Sequence, residues 1–268
     1  MIASIQQRSI SFSKCAPEDG RVTSLLSDKL IPSAERLIFA LDVPTHEEAK
    51  SWVEQLGDSV LFYKLGLQIL MAGDYYGLIS WLRDRGKKVF ADIKFNDVPE
   101  TIEGTVAQLK DRGISFATVH AGNDATLKAA SKVKNGVKIL AVTVLTSLDQ
   151  DDLKALGFTC DVRTLVLSRA KRALDLGCDG VISSGLEIED LRVNYGNSFL
   201  IVSPGIRPLE NRLIQDDQKR IVTVEEAFLK GADYIVIGRP IRNAPNPKAK
   251  AEEIQEQIGA LFSSMRSP

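Results

Sequence analysis

The stretch Val89-Phe-Ala-Asp-Ile-Lys-Phe-Asn-Asp97 joins a short apolar run to three charged residues. Because the side chains of a strand alternate between its two faces, Asp92 and Lys94 would leave the end of such a strand on the same side. Asp97 follows in the loop, and Pro99 is placed to open a helix in its first turn. Ion pairs away from water often only break even for stability. The stretch therefore predicts a strand that delivers charges to a functional site, and the alternative is a solvated loop with a salt bridge.

The same alternation of strand and helix continues along the chain from Arg36. Each apolar run is followed by a helical stretch, and a glycine stands just past several of the helix ends. The predicted strands are Leu37–Val43, Val60–Leu65, Val89–Ile93, Phe116–His120, Val137–Leu145, Gly180–Ser183, Phe199–Ser203 and Tyr234–Ile237. The predicted helices are Glu47–Leu56, Leu67–Arg85, Pro99–Arg112, Asp124–Val133, Val162–Leu176, Ile188–Tyr195, Val224–Lys230 and Ala249–Ser263.

Eight strands, each followed by a helix, in a chain of 268 residues are typical of the α/β class and of a (β/α)8 TIM barrel. The competing fold is an open doubly wound sheet, which ordinarily carries a glycine-rich phosphate loop after its first strand. Here Asp42-Val-Pro44 stands at that place, so the barrel is favoured. We expect a single catalytic domain over residues 36–268.

An N-terminal extension, residues 1–35, precedes the predicted barrel and shows little hydrophobic periodicity. As far as Lys14 it is rich in serine and carries basic residues but no acid, a faint similarity to an organelle transit peptide. We favour the simpler interpretation of a flexible or loosely docked extension.

The composition argues against several classes of partner. Hydrophobic residues make up 44% and charged residues 26% of the chain, and the formal net charge of −1 gives no reason to expect nucleic acid or an anionic membrane. No apolar run approaches the roughly 18 residues of a membrane span. Three cysteines without metal-ligand spacing and two histidines predict no metal site. Free thiols indicate a reducing compartment, and we expect a cytoplasmic protein.

Functional residues of such barrels lie at the C-terminal ends of the strands. In this sequence those ends carry Asp42, Lys64, Asp92, Lys94, His120, Thr146, Ser147, Arg207 and Arg239. Charges of alternating sign therefore converge on one mouth, with Asp97 close by. A lone histidine such as His120 is more often a packing or hydrogen-bonding residue than a catalyst.

The last two strand ends predict a phosphate site. Pro204-Gly205 and Gly238-Arg239 supply backbone amides, a flexible approach and a guanidinium, which suit an anion. Barrels of this class frequently hold phosphate after strands seven and eight.

The chain resembles the orotidine 5′-phosphate decarboxylase family from about Arg36 to Leu261. The similarity rests on motifs that occur in order: Leu41-Asp-Val-Pro44, Tyr63-Lys-Leu-Gly66, Asp92-Ile-Lys-Phe-Asn-Asp97 with Pro99 and Thr101, Val142-Thr-Val-Leu-Thr-Ser147, Pro204-Gly-Ile-Arg207 and Ile235-Val-Ile-Gly-Arg239. Asn96 and Glu100 stand where many family members carry other residues, and both flank the charged positions.

The resemblance implies decarboxylation of orotidine 5′-phosphate to UMP, the last step of UMP biosynthesis, without a metal or an organic cofactor. The implied catalytic residues are Lys64, Asp92, Lys94 and Asp97. Lys94 would stabilise a carbanion at C6 of the ring and protonate it. Asp92 would face the substrate carboxylate, and Asp97 would reach the site of the neighbouring subunit of a homodimer.

The resemblance also implies the residues that hold the substrate: Asp42, Lys64, Thr101, Thr146, Ser147, Pro204, Arg207, Gln218, Gly238 and Arg239. Asp42 and Lys64 would bind the ribose hydroxyls, and Ser147 the pyrimidine. Gln218 and Arg239 would bind the phosphate on a closing loop, with Gln215 as the alternative to Gln218. Thr101 would accompany Asp97 into the partner's site.

Two competing functions remain to be separated from this one. Sugar-phosphate decarboxylases and aldolases of the same superfamily share the Asp-x-Lys-x-x-Asp pattern and use Mg²⁺, but they carry a metal-binding carboxylate where this chain has Lys64, which would repel the ion. A catalytically silent phosphate-binding barrel would lack some member of the charged set, and none is lacking here.

Overall fold

A computed structural model describes residues 25–207 and 221–263, and its strands close into one barrel. Eight parallel strands in these residues pair in chain order, and the last returns to the first. They are β1 (Leu37–Ala40), β2 (Phe62–Gly66), β3 (Lys88–Phe95), β4 (Ile114–His120), β5 (Lys138–Val142), β6 (Gly180–Ile182), β7 (Leu200–Ser203) and β8 (Tyr234–Ile237). The predicted (β/α)8 barrel is confirmed.

Helices follow the strands and cover the outside of the barrel. They are α1 (His46–Leu56), α2 (Leu67–Leu70), α3 (Tyr75–Arg83), α4 (Pro99–Ala107), α5 (Asp124–Lys132), α6 (Gln150–Ala155), α7 (Val162–Asp175), α8 (Ile188–Tyr195), α9 (Val224–Leu229), α10 (Arg239–Arg242) and α11 (Pro247–Ser263). Thr45 caps α1 as predicted, since its side chain accepts a hydrogen bond from the Glu48 amide at 3.1 Å. No helix of the described residues combines the length and the apolar character needed to span a bilayer.

The predicted helix Leu67–Arg85 is wrong, because the structure has two helices, α2 and α3, in its place. Gly73 between them has a φ of 132°, a backbone conformation incompatible with a continuing helix. Asp74 then caps α3 by accepting a hydrogen bond from the Gly77 amide at 2.8 Å. The Gly-Asp pair was the signal for a new helix start. The short helices α6 and α10 were also not predicted.

The interior of the barrel is filled by alternate side chains of the strands. They are Ile38, Ala40, Phe62, Phe90, Phe116, Leu140, Val202, Tyr234 and Val236. The Phe116 ring lies 4.9 Å from the Phe62 ring and 5.1 Å from the Tyr234 ring, so aromatic contacts close the middle of the barrel. Because side chains repeat every two residues, the next inward positions belong to Lys64, Asp92 and Thr118. An apolar floor thus lies directly beneath a polar layer.

Residues just before β1 pack at the N-terminal end of the barrel, away from that polar layer. Ser27 is buried and donates a hydrogen bond of 2.5 Å to the carboxylate of Asp233, which immediately precedes β8. Lys29 lies 3.1 Å from the same carboxylate, and the Arg36 guanidinium stacks on the Phe262 ring. The domain boundary between residues 35 and 36 stays a prediction, and residues 1–24 lie outside the described part of the chain.

Candidate active site

A cavity of about 630 Å³ opens where the C-terminal ends of the strands meet. Its walls come from both sides of the barrel, and its floor includes Phe90, Ile182 and Val236. The predicted site residues that line it are Asp42, Lys64, Asp92, Lys94, Thr146, Ser147, Pro204, Arg207, Gly238 and Arg239. The structure therefore brings into one cavity residues that are almost 200 positions apart in the sequence.

Four charged side chains form a continuous array along one wall of the cavity. Lys64 Nζ lies 3.3 Å from Asp42 Oδ1 and 3.1 Å from Asp92 Oδ2. Lys94 Nζ donates to the same Asp92 Oδ2 at 2.9 Å. One carboxylate oxygen is thus shared by two ammonium groups, and charges alternate from Asp42 to Lys94.

The central pair of this array is held in its charged form. Only 6% of Asp92 is exposed, and burial by itself raises the pKa of its carboxyl. The ammonium groups of Lys64 and Lys94 outweigh burial, so the pKa of Asp92 lies below its usual value. Burial likewise lowers the pKa of Lys64, but Asp92 and Asp42 raise it by more, and the net pKa is raised. Both groups are therefore ionised at neutral pH.

The end of β3 departs from a regular strand at Lys94, whose φ is 55°. Ala91 pairs with Ala117 and Phe95 with Val119, so three residues of β3 lie opposite one residue of β4. That residue is Thr118. Its hydroxyl accepts a hydrogen bond from the Lys94 amide at 2.9 Å and donates to Asp92 Oδ1 at 3.0 Å.

Thr118 was not among the predicted site residues, and the polar residue expected at the end of β4 was His120, more often a packing or hydrogen-bonding residue than a catalyst. The available signal was strand alternation, because Thr118 lies two residues after the inward-facing Phe116 and is fully buried. His120 is half-buried and does not belong to the cavity lining. Burial, with Lys94 and Arg169 nearby, lowers the pKa of His120, so its imidazole is neutral at pH 7.

The part of the cavity wall that follows β7 and β8 carries arginines and one close backbone approach. Arg207 is almost fully buried, and it donates to the Ile206 carbonyl at 3.0 Å. Arg239 begins α10 directly after Gly238, where an added Cβ would lie 3.2 Å from the Ala40 side chain. This concentration of guanidinium groups favours an anionic group such as phosphate.

Arg242 also lines this part of the cavity, although it was not among the predicted site residues. Its guanidinium donates a hydrogen bond to the Asp42 carbonyl, which joins the arginine side of the cavity to the charged array. The sequence signal for Arg242 was its distance of three residues from Arg239. Residues three apart on a helix lie on the same face, so Arg242 shares a face of α10 with Arg239.

Asp97 and Thr101 are exposed and are not among the residues that line the cavity of their own chain. The Asp97 carboxylate accepts a hydrogen bond from the Val98 amide at 2.6 Å, and Thr126 donates to the Asp97 carbonyl at 3.1 Å. The loop that carries Asp97 is thereby held in place beside α5. The predicted phosphate ligand Gln218, and its alternative Gln215, lie outside the described residues.

The cavity carboxylates are poorly suited to a metal ion. Asp42 and Asp92 both contact the Lys64 ammonium, which a divalent cation would have to displace. Within residues 25–207 and 221–263, no group of three or more His, Cys, Asp and Glu side chains could hold a metal.

Residues 35–254 match the sequence profile of the orotidine 5′-phosphate decarboxylase / HUMPS family. The chain is 58% identical to orotidine 5′-phosphate decarboxylase of Methylococcus capsulatus over 241 residues, which cover 90% of this chain and 99% of that protein. It is 48% identical to the enzyme of the same name from Xanthomonas oryzae pv. oryzae, over 87% of this chain and 96% of that protein.

A solved structure, that of orotidine 5′-phosphate decarboxylase from Lactobacillus acidophilus, superposes with a TM-score of 0.73 and 36% sequence identity. The alignment covers 84% of this chain and 99% of that one. Profile, sequence and fold agree across most of the chain, including the barrel. The chain therefore belongs to the orotidine 5′-phosphate decarboxylase / HUMPS family.

Proposed function

We propose that this carboxy-lyase converts orotidine 5′-phosphate to UMP and CO₂ in pyrimidine biosynthesis. The observation that carries the proposal is the array of Asp42, Lys64, Asp92 and Lys94 in a cavity that Arg207 and Arg239 also line. The array suits a reaction that develops negative charge on a ring carbon, and the arginines suit a phosphate at the other end of the substrate. The names of the relatives support the same substrate.

Lys94 is the proposed proton donor. Loss of CO₂ from C6 of the orotate ring leaves a carbanion with little resonance relief, so the site has to stabilise the charge and then protonate the carbon. The Lys94 side chain is 31% exposed and lines the cavity, while its Nζ stays 2.9 Å from Asp92. An ammonium group in that position can stabilise the carbanion electrostatically and act as general acid.

Asp92 is proposed to face the departing carboxylate. Two unit charges about 4 Å apart repel by roughly 4 kcal/mol at an effective dielectric constant near 20, and this repulsion disappears as CO₂ leaves. Enzymes lower barriers by about 8–23 kcal/mol in total, so repulsion alone is too small. Asp92 contributes further by raising the pKa of Lys64 and by holding the Lys94 ammonium at 2.9 Å, and these preorganised cations can stabilise the developing carbanion.

The remaining cavity residues are proposed to hold the substrate. Asp42 and Lys64 would bind the ribose hydroxyls. Thr146 and Ser147, in the loop after β5, would contact the pyrimidine. The phosphate would lie against Pro204, Arg207, Gly238, Arg239 and Gln218. Binding energy from a phosphate far from C6 can be used to organise the site for the transition state.

A homodimer with shared sites is the proposed assembly. Asp97 and Thr101 would serve the partner's substrate, which is consistent with their exposure outside their own cavity. Exposed apolar side chains of the same and neighbouring loops support a contact there, since Met71 is 82% and Val98 61% exposed. Identical patches would then meet across a two-fold axis. We place this dimer in the cytoplasm, which stays a prediction.

A second candidate is a Mg²⁺-dependent sugar-phosphate decarboxylase or aldolase, because Asp92, Lys94 and Asp97 keep the spacing that those enzymes share. The ammonium group of Lys64 between the cavity carboxylates opposes a divalent cation at that place.

One assay decides between the candidates. Purified protein is mixed with orotidine 5′-phosphate, and UMP formation is followed by ultraviolet absorbance with and without EDTA. We expect turnover that EDTA does not change. Absence of turnover would refute the proposed function, and a loss of activity that Mg²⁺ restores would favour the metal-dependent class.

A further inference from the structure

The two carboxylate oxygens of Asp92 have different partners. Oδ2 faces the ammonium groups of Lys64 at 3.1 Å and Lys94 at 2.9 Å. Oδ1 accepts a hydrogen bond from the Thr118 hydroxyl at 3.0 Å. Asp92 is only 6% exposed, so water has little access to replace a lost donor. Thr118 therefore helps to set the orientation of the Asp92 carboxylate about its Cβ–Cγ bond.

The Thr118 hydroxyl also has a second partner, the Lys94 amide. The two contacts together determine the direction in which the hydroxyl hydrogen points. An ionised carboxylate can only accept a hydrogen bond, and the Lys94 amide can only donate one. The hydroxyl hydrogen consequently points at Asp92 Oδ1, and an oxygen lone pair faces the Lys94 amide. A hydroxyl meets both requirements, because the same oxygen donates to one group and accepts from the other.

The residue whose amide makes this contact, Lys94, has an unusual backbone conformation. Lys94 has a φ of 55°, a region that residues with a Cβ rarely occupy and that persists only where surrounding contacts enforce it. Thr118 is the β4 residue opposite the irregular part of β3, and its side chain gives the Lys94 amide a partner there. A return of residue 94 to extended backbone would redirect its side chain.

We propose that Thr118 is a positioning residue for the decarboxylation, holding the Asp92 carboxylate and the Lys94 ammonium in register with each other. This inference rests on the proposed function. Thr118 is fully buried and is not among the residues that line the cavity, so it acts through Asp92 and Lys94 rather than on the substrate.

The kinetic test compares three variants. Thr118→Val keeps the shape but removes both hydrogen bonds, and Thr118→Ser keeps the hydroxyl. Thr143→Val is the matched control, because Thr143 is equally buried, donates to the Ile182 carbonyl at 3.0 Å and does not line the cavity. We expect Thr118→Val to lower kcat roughly 10- to 100-fold with KM changed less than about threefold, as for loss of a hydrogen bond to a charged group.

Thr118→Ser and Thr143→Val should stay within about threefold of wild-type kcat. Three results would overturn the proposal: nearly full kcat in Thr118→Val, an equal loss in Thr118→Ser, or an equal loss in Thr143→Val. If Thr118→Val does not fold, Thr118→Ser decides alone, and a more than tenfold loss of kcat there would count against the proposal.

A crystal structure of Thr118→Val tests the positioning without reference to activity. We expect the Lys94 φ to become negative or the contact between Lys94 Nζ and Asp92 Oδ2 to lengthen beyond 4 Å. Retention of both features would refute the positioning role. Wild-type protein that fails to decarboxylate orotidine 5′-phosphate would instead remove the proposed function, and the crystallographic comparison would still decide whether Thr118 orients the pair.

Discussion

Lys64 Nζ lies 3.1 Å from Asp92 Oδ2, across the tops of two neighbouring strands. Asp92 on β3 pairs in register with Gly66, two residues beyond Lys64 on β2. An added Cβ at Gly66 would lie 3.4 Å from Asp42 Oδ1 and 3.6 Å from Lys64 Nζ, which are ordinary van der Waals contacts. The Tyr63-Lys-Leu-Gly66 motif thus places the Lys64 cation and Gly66 side by side next to Asp42.

Replacing Lys94 with alanine should abolish most of the turnover. The variant loses both the cation beside the developing carbanion and the proton donor, so kcat should fall by roughly 10³-fold or more. Affinity for UMP should change much less, since the proposed ribose and phosphate contacts remain. Activity is followed by ultraviolet absorbance and UMP binding by calorimetry. Lys171→Ala, an exposed helix position, is the control, and full activity of Lys94→Ala would contradict the assignment.

Asp92 should make the free energy of unfolding depend on pH in the acidic range. Its folded-state pKa lies below the unfolded value of about 3.9, so its stabilisation is present above that pH and disappears as the pH falls through the folded-state pKa. Removing one partner of a buried ion pair costs about 3–5 kcal/mol, so Asp92→Asn should lose that amount near pH 6. Denaturant titrations between pH 6 and pH 3 should show that the difference in unfolding free energy between wild type and Asp92→Asn becomes smaller as the pH falls.

The matched control for that titration is Asp151→Asn. Asp151 pairs with Lys154 on the surface, its side chain is 89% exposed, and its removal should change stability by less than about 0.5 kcal/mol at any of these pH values. A difference between wild type and Asp92→Asn that stays constant down to pH 3 would show that the carboxylate is not preferentially ionised in the fold.

Mixed dimers should reveal whether sites are shared. Lys94→Ala and Asp97→Ala chains should each be inactive alone, but a mixed dimer would contain one site with both residues intact. Random pairing would then restore roughly a quarter of wild-type activity after unfolding and refolding the two variants together. Lys94→Ala mixed with Asp92→Asn is the control, because each change damages the site of its own chain and no intact site can form. If activity is recovered in neither mixture, each site is built from a single chain.

Arg239 should recognise the phosphate specifically. Arg239→Ala removes a guanidinium from the cavity, and loss of a hydrogen bond to a charged group predicts roughly 10- to 100-fold weaker UMP binding. Uridine, which lacks the phosphate, should bind wild type and variant alike. Arg172→Ala, whose partner Asp124 lies on the outer helices, should leave both affinities unchanged. Equal weakening of UMP and uridine would indicate a general effect on the cavity.

The alternation of apolar runs and helical stretches was enough to predict the barrel, because each strand is buried on both faces and each helix must cover it. The same alternation placed Asp42, Lys64, Asp92 and Lys94 at strand ends, and parallel strands bring those ends to one mouth. Local chemistry thus determined the fold class and most of the candidate site.

Other features depended on contacts between distant segments, which no local pattern contains. The contact of Ser27 with Asp233, 206 residues away, required the packed chain. Strand alternation turns Thr118 inward, but its hydrogen bonds to Asp92 and to the Lys94 amide form only when β3 and β4 are paired. The sequence by itself determined which charges reach the mouth of the barrel, and the tertiary structure decided how they are oriented, because orientation depends on hydrogen bonds between neighbouring strands.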